Sequence, residues 1–119
     1  NILGAEFQLG GEPVYSLRIT GSCPGRVNIS WTGGNPNGAQ QGLVFGNNLG
    51  NFTLPQNGPC GGTVIGVTGG VRLVTPPGIH SNQGGTGSFN GNAGTSACGH
   101  YLQLVEGGSC NVSNTVQIP

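Results

Sequence analysis

The chain has 119 residues, enough for one domain with a two-layer core and few enough to gain from covalent staples. Its 26 glycines, 8 prolines and 5% charged residues leave little room for long helices, so short strands joined by glycine turns are expected. Three arginines (Arg18, Arg26, Arg72) against three glutamates (Glu6, Glu12, Glu106) give zero net charge. That is too sparse a set to bind nucleic acid, and no apolar run of about 18 residues exists for membrane insertion.

Residues 1–20 hold two alternating runs on either side of Gly10, Gly11, Glu12 and Pro13. Leu3, Ala5, Phe7 and Leu9 share a phase against Gly4, Glu6 and Gln8; Tyr15, Leu17 and Ile19 oppose Ser16, Arg18 and Thr20. Both are predicted strands, the first a separable N-terminal element over residues 1–12 ahead of a β-sandwich domain over residues 13–119. A third strand follows Cys23, Pro24 and Gly25, with Val27, Ile29 and Trp31 inward and Trp31 as core anchor. Residues 32–41 carry turn chemistry throughout. Leu43, Val44 and Phe45 form a short apolar run, and Phe52 and Leu54 point inward from the next strand.

Two β-branched runs, residues 63–68 and 71–75, are predicted to pair as a hairpin around Gly69 and Gly70, ended by Pro76, Pro77 and Gly78. In the glycine-rich residues 81–94, a weak strand is expected around Ser88 and Phe89. The chain ends in a hairpin turning at Glu106, Gly107 and Gly108, flanked by Cys98 and Cys110. From Cys110 onward, Val112, Val116 and Ile118 are expected to be buried, and Asn111, Ser113, Thr115 and Gln117 wet. The fold expected is all-β: a single disulfide-stapled β-sandwich of about nine short strands, jelly-roll or immunoglobulin-like in topology.

The chain begins at Asn1, as a mature form does after loss of a signal peptide, and its four cysteines suit an oxidising compartment. An extracellular location, secreted or at the cell surface, is expected. Pairing Cys23 with Cys60 and Cys98 with Cys110 brackets two local units; the nested alternative joins Cys23 to Cys110 and Cys60 to Cys98. No metal or cofactor is expected, because there is no C-x-x-C pair, the two histidines lie apart, and calcium usually recruits several carboxylates where this chain has no Asp. Catalysis has only His80, His100, three glutamates and hydroxyls to draw on. No G-x-S-x-G elbow occurs and nothing places an acid beside either histidine, so the chain is expected not to be an enzyme. Three glycosylation triplets begin at Asn28, Asn51 and Asn111, each in the outward phase of a strand.

The segments CPGRVNISW, QQGLVFG, GPCGGTVIGV, SACGHYLQLVEGGSC and SNTVQIP resemble a group of small secreted domains from planctomycetes and similar environmental bacteria. The resemblance spans residues 21–119 and implies secretion and a cysteine-paired β-fold; it implies no activity and no catalytic residue. The first twenty residues lie outside it.

A surface so poor in charge offers little repulsion between copies, which suits a protein that is coated or assembled. The function expected is an extracellular structural subunit that polymerises with itself into a filament or surface layer. Leu3, Ala5, Phe7 and Leu9 would be exchanged into a neighbour as a donor strand, with covalent glycan on the three asparagines. The alternative is a secreted carbohydrate-binding or adhesive module; its natural stacking residues are Trp31, Tyr15 and Tyr101, and because Trp31 falls in a buried phase it needs Trp31 and Tyr101 exposed on one face.

Overall fold

A computed structural model describes residues 15–35, 39–58, 60–74 and 85–119. The N-terminal strand with Leu3, Ala5, Phe7 and Leu9, its boundary with the sandwich, His80 and the turn at Pro76, Pro77 and Gly78 lie outside these residues. The described residues hold nine strands in order: β1 (Ser16–Gly21), β2 (Gly25–Thr32), β3 (Gln41–Gly46), β4 (Asn48–Thr53), β5 (Val64–Thr68), β6 (Arg72–Leu73), β7 (Gly87–Ala93), β8 (Tyr101–Glu106) and β9 (Val112–Gln117). A single 3-10 turn, Thr95–Ala97, is the one helical element among the described residues. The strand expected around Ser88 and Phe89 is present and extends to Ala93.

Every pairing among the described residues is antiparallel. A four-stranded sheet runs β9-β8-β3-β6, a three-stranded sheet runs β1-β2-β7, and β4 and β5 form a ribbon. Alternation sends Leu17, Val27, Ile29 and Trp31 from the three-stranded sheet against Leu43, Phe45, Leu102 and Leu104 from the four-stranded one. Val44 and Val105 point the other way and meet Ile65 and Val67 of β5 in a second core. The four-stranded sheet is thus covered on both faces. This is why β3 carries the continuous run Leu43, Val44, Phe45 and why β8 is buried without a break from Leu102 to Glu106. Each large side chain so buried contributes roughly 1.5–3 kcal/mol.

Three sequence expectations need correction. Residues 63–68 and 71–75 do not form a hairpin: β5 pairs with β4, and β6 pairs with β3. Gly69 and Gly70, at φ +79° and +63°, do turn the chain. But Ile65 and Val67 are drawn over one face of the central sheet while Arg72 and Leu73 extend its edge, so the two runs part.

The alternation in β9 is broken by a bulge. Val112 faces Val105 and Thr115 faces Gln103, so three steps on β9 match two on β8. Ser113 is turned inward, 4% exposed, instead of wet. Its Oγ accepts from the Leu104 N–H at 2.9 Å and donates to the Asn114 carbonyl at 2.8 Å. Gln103 fastens the same spot, donating from Nε2 to the Ser113 carbonyl at 2.5 Å and accepting at Oε1 from the Gly66 N–H at 2.7 Å.

All four cysteines are paired, but as Cys23–Cys98 and Cys60–Cys110, neither the local nor the nested set. The hairpin geometry explains it. Cys98 precedes β8 at the open end of the β8–β9 ladder and Cys110 follows it at the turn, so a strand of about 20 Å separates them. At the open end Cys98 meets the β1–β2 turn that carries Cys23; at the turn end Cys110 meets the loop that carries Cys60. Closing loops of 75 and 50 residues, the two bonds contribute about 4 kcal/mol each in the chain-entropy account.

Candidate functional site

The two sides of the sandwich are finished differently. Where β1 and β9 border the two sheets, the Asn114 amide takes the place of a neighbouring strand. Its Oδ1 accepts from the Leu17 N–H at 2.7 Å and its Nδ2 donates to the Leu17 carbonyl at 3.1 Å. That side is laced shut. On the other side, among the described residues, the four-stranded sheet ends in β6, a strand of two residues with Leu73 opposite Val44 and Arg72 opposite Phe45. Leu73 is 67% exposed and Val74 39%.

An apolar hollow lies on each face of this edge. Val71 and Leu73 line a groove of about 480 Å³ with Val44, Phe52, Leu54 and Val105. Arg72 and Val74 line a smaller cleft of about 210 Å³, which opens between the sheets onto Ile29, Phe45 and Phe89. The Arg72 guanidinium sits 4.6 Å from the centre of the Phe45 ring, and that ring also stacks on His100 at 5.2 Å.

Glu106 is the sole acidic side chain among the described residues, and it is committed elsewhere. It lies at the β8 turn end, 2% exposed. Its Oε2 accepts from the Asn35 N–H at 2.6 Å and from Gln41 Nε2 at 3.1 Å, and its Oε1 accepts from the Ser109 hydroxyl at 2.7 Å. Burial acts to raise its pKa, but these three hydrogen bonds prevail and hold it below the ordinary carboxylate value. The Tyr15 hydroxyl donates to Gln41 Oε1, and burial together with the Glu106 charge pushes the phenol above its usual range.

The geometry does not gather a catalytic set from the residues that the sequence offered. His100 lies at the opposite end of β8 from Glu106, so no triad forms between them, and His80 is outside the described residues. No group of three His, Cys, Asp or Glu able to hold a metal occurs among the described residues. Asn51 and Asn111 are exposed; Asn28 is partly exposed and donates to Asn90 Oδ1 at 3.0 Å. Trp31 is 2% exposed, Tyr15 and Tyr101 are partly buried, and no aromatic platform includes Trp31.

Sequence reading missed the β6 edge and Asn114. The first was hidden by the hairpin expectation. The second had a signal: Asn114 occupies the apolar phase between Val112 and Val116, a misfit that marks a polar side chain with a task. No helix among the described residues is long and apolar enough to cross a membrane. No family model matches the chain, and no curated protein or solved structure is significantly similar to it.

Proposed function

We propose that this chain is an extracellular structural subunit that polymerises into a filament or surface layer by exchange of its N-terminal strand. The observation that carries the reading is the β6 edge: two residues long, with Leu73 exposed and an apolar hollow on each face. A sheet edge of this kind is a template for another strand. The run Leu3, Ala5, Phe7, Leu9 has the sequence alternation of a strand and precedes the sandwich across Gly10 and Gly11. A head-to-tail contact between strand and edge that does not close on itself gives a fibre.

Two further features agree with a role outside the cell. Two disulfides joining distant loops suit an oxidising compartment. A surface with almost no charge is workable where copies are packed together or coated, and exposed Asn51 and Asn111 are positions that tolerate glycan. The carbohydrate-binding alternative loses its main stacking residue to the core, since Trp31 is buried.

Light scattering on the purified protein, followed by negative-stain imaging, tests the reading. Uniform polymers are expected from the 11.9 kDa chain, and removal of residues 1–10 should leave a folded monomer that is smaller by the mass of those ten residues. A monomeric full-length chain, or fibres that survive the deletion, would overturn it.

A further inference from the structure

The strand-exchange reading leaves open how the incoming strand is seated, and the single charge of β6, Arg72, bears on it. We infer that residues 1–10 of a second copy pair along β6 with Leu3, Ala5, Phe7 and Leu9 in the groove beside Leu73, and with Glu6 on the opposite face against Arg72. The inference rests on the proposed strand exchange and adds its register and facing.

The argument starts from the period of a strand. By sequence phase Leu3, Ala5, Phe7 and Leu9 fall together and Glu6 in the opposite phase, so a strand formed from them would carry Glu6 on its other face; Glu6 is the one ionisable side chain in residues 1–10. The β6 edge is divided in the same manner. Leu73 belongs to the face of Val44 and the larger groove, which Phe52 and Leu54 also line. Arg72 belongs to the face of Phe45, with its guanidinium over that ring. A strand opposite β6 with Glu6 beside Arg72 therefore puts Ala5 and Phe7 next to Leu73 and Val71, in either chain direction.

The reversed facing fails on electrostatics. It would press Glu6 into the groove among Val44, Phe52 and Leu54; Arg72 also borders that groove, but its guanidinium is turned over the Phe45 ring on the opposite face, so the buried carboxylate would be parted from the charge that could stabilise it. The inferred facing instead gives Arg72 a carboxylate. Among the described residues it has none, since Glu106 is held by Asn35, Gln41 and Ser109. Arg18 and Arg26 stand on the other, three-stranded sheet.

A charge swap in the full-length protein tests the seat. Glu6→Arg and Arg72→Glu, made singly, should each raise the critical concentration for polymerisation about tenfold or more, because like charges meet across the contact. The double variant Glu6→Arg with Arg72→Glu should recover most of the wild-type assembly. That recovery also controls for folding, as does the near-ultraviolet signal of buried Trp31. If deletion of residues 1–10 abolishes polymers while the double variant assembles no better than either single one, the seat is wrong and strand exchange stands. If the wild-type chain is monomeric, both fall together.

Discussion

The indole of Trp31 lies across Gly87, its cross-strand partner in the β2–β7 pair, so closely that a Cβ at Gly87 would overlap Cζ2 and stand 2.7 Å from Cη2. The glycine is there for space, since its φ is not in the left-handed region. Phe89, two residues on, meets the same ring edge-on at 6.4 Å. Gly87→Ala should therefore displace the largest core side chain and cost about 2 kcal/mol, a fall in melting temperature of roughly 8 °C for a chain of this size. Gly91 on the same strand has nothing within 4 Å of its position, and Gly91→Ala should change stability by about 0.5 kcal/mol at most. Equal effects of the two substitutions in a thermal melt would refute the steric account.

The disulfide pattern can be read from four peptides. Cleavage after Arg18, Arg26, Arg72 and Glu106, without reduction, isolates residues 19–26, 27–72, 73–106 and 107–119, each with one cysteine. Mass spectrometry should find 19–26 joined to 73–106 and 27–72 joined to 107–119, as Cys23–Cys98 and Cys60–Cys110 require. Finding 19–26 joined to 27–72 would restore the local pairing and contradict the geometry of the hairpin ends.

Glu106 and Tyr15 set the two limbs of the stability profile. The Glu106 carboxyl has its pKa lowered on folding from 4.5, so its contribution is present above about that pH and is lost as pH falls through the lower folded value. The Tyr15 phenol is raised from 10.0, so its contribution is present below that pH and is lost as pH rises toward the folded value. The urea midpoint should be flat from about pH 5 to 9 and decline on both sides. Glu106→Gln should lower stability at neutral pH by about 1–3 kcal/mol and shrink the acid decline. An acid limb identical in the variant would show that Glu106 does not govern it.

Strand phases were legible where one face of a strand meets one core. Tyr15, Leu17 and Ile19 and then Val27, Ile29 and Trp31 point inward as their alternation demands. Legibility failed where the partner is distant in sequence. Nothing local in residues 63–75 says that Ile65 will cover Val44, so a glycine pair between two β-branched runs looks like a hairpin. A bulge shifts the phase of every residue beyond it without any change of composition, which is how Ser113 reaches the interior. The disulfide error was avoidable: two cysteines just outside opposite ends of one strand cannot meet, and the Glu106 turn already fixed those ends. The β6 edge became visible only with the sheet order in hand, because exposure of Leu73 depends on what β3 leaves unpaired.

Asn114 provides the contrast to that edge. Its amide satisfies both the N–H and the carbonyl of buried Leu17, one donor and one acceptor that β1 would otherwise present to solvent or to another strand. Asn114→Ala removes both partners at once and should cost about 1–2 kcal/mol in a denaturant titration, moderated because water can reach the edge once the side chain is gone. Asn114→Asp keeps the acceptor for the Leu17 N–H but sets a carboxylate against the Leu17 carbonyl, so above its titration it should be as damaging as Ala, and it should recover part of the loss at low pH, where a protonated carboxyl can donate. Hydrogen exchange separates a local from a global effect: the Leu17 amide should lose protection in the Ala variant beyond what the fall in overall stability explains, whereas Val27 in the centre of the sheet should follow overall stability alone. Full protection of Leu17 in Asn114→Ala would mean that the β1 edge is held by something other than this side chain, and the asymmetry between a laced side and an open β6 side would lose its physical basis.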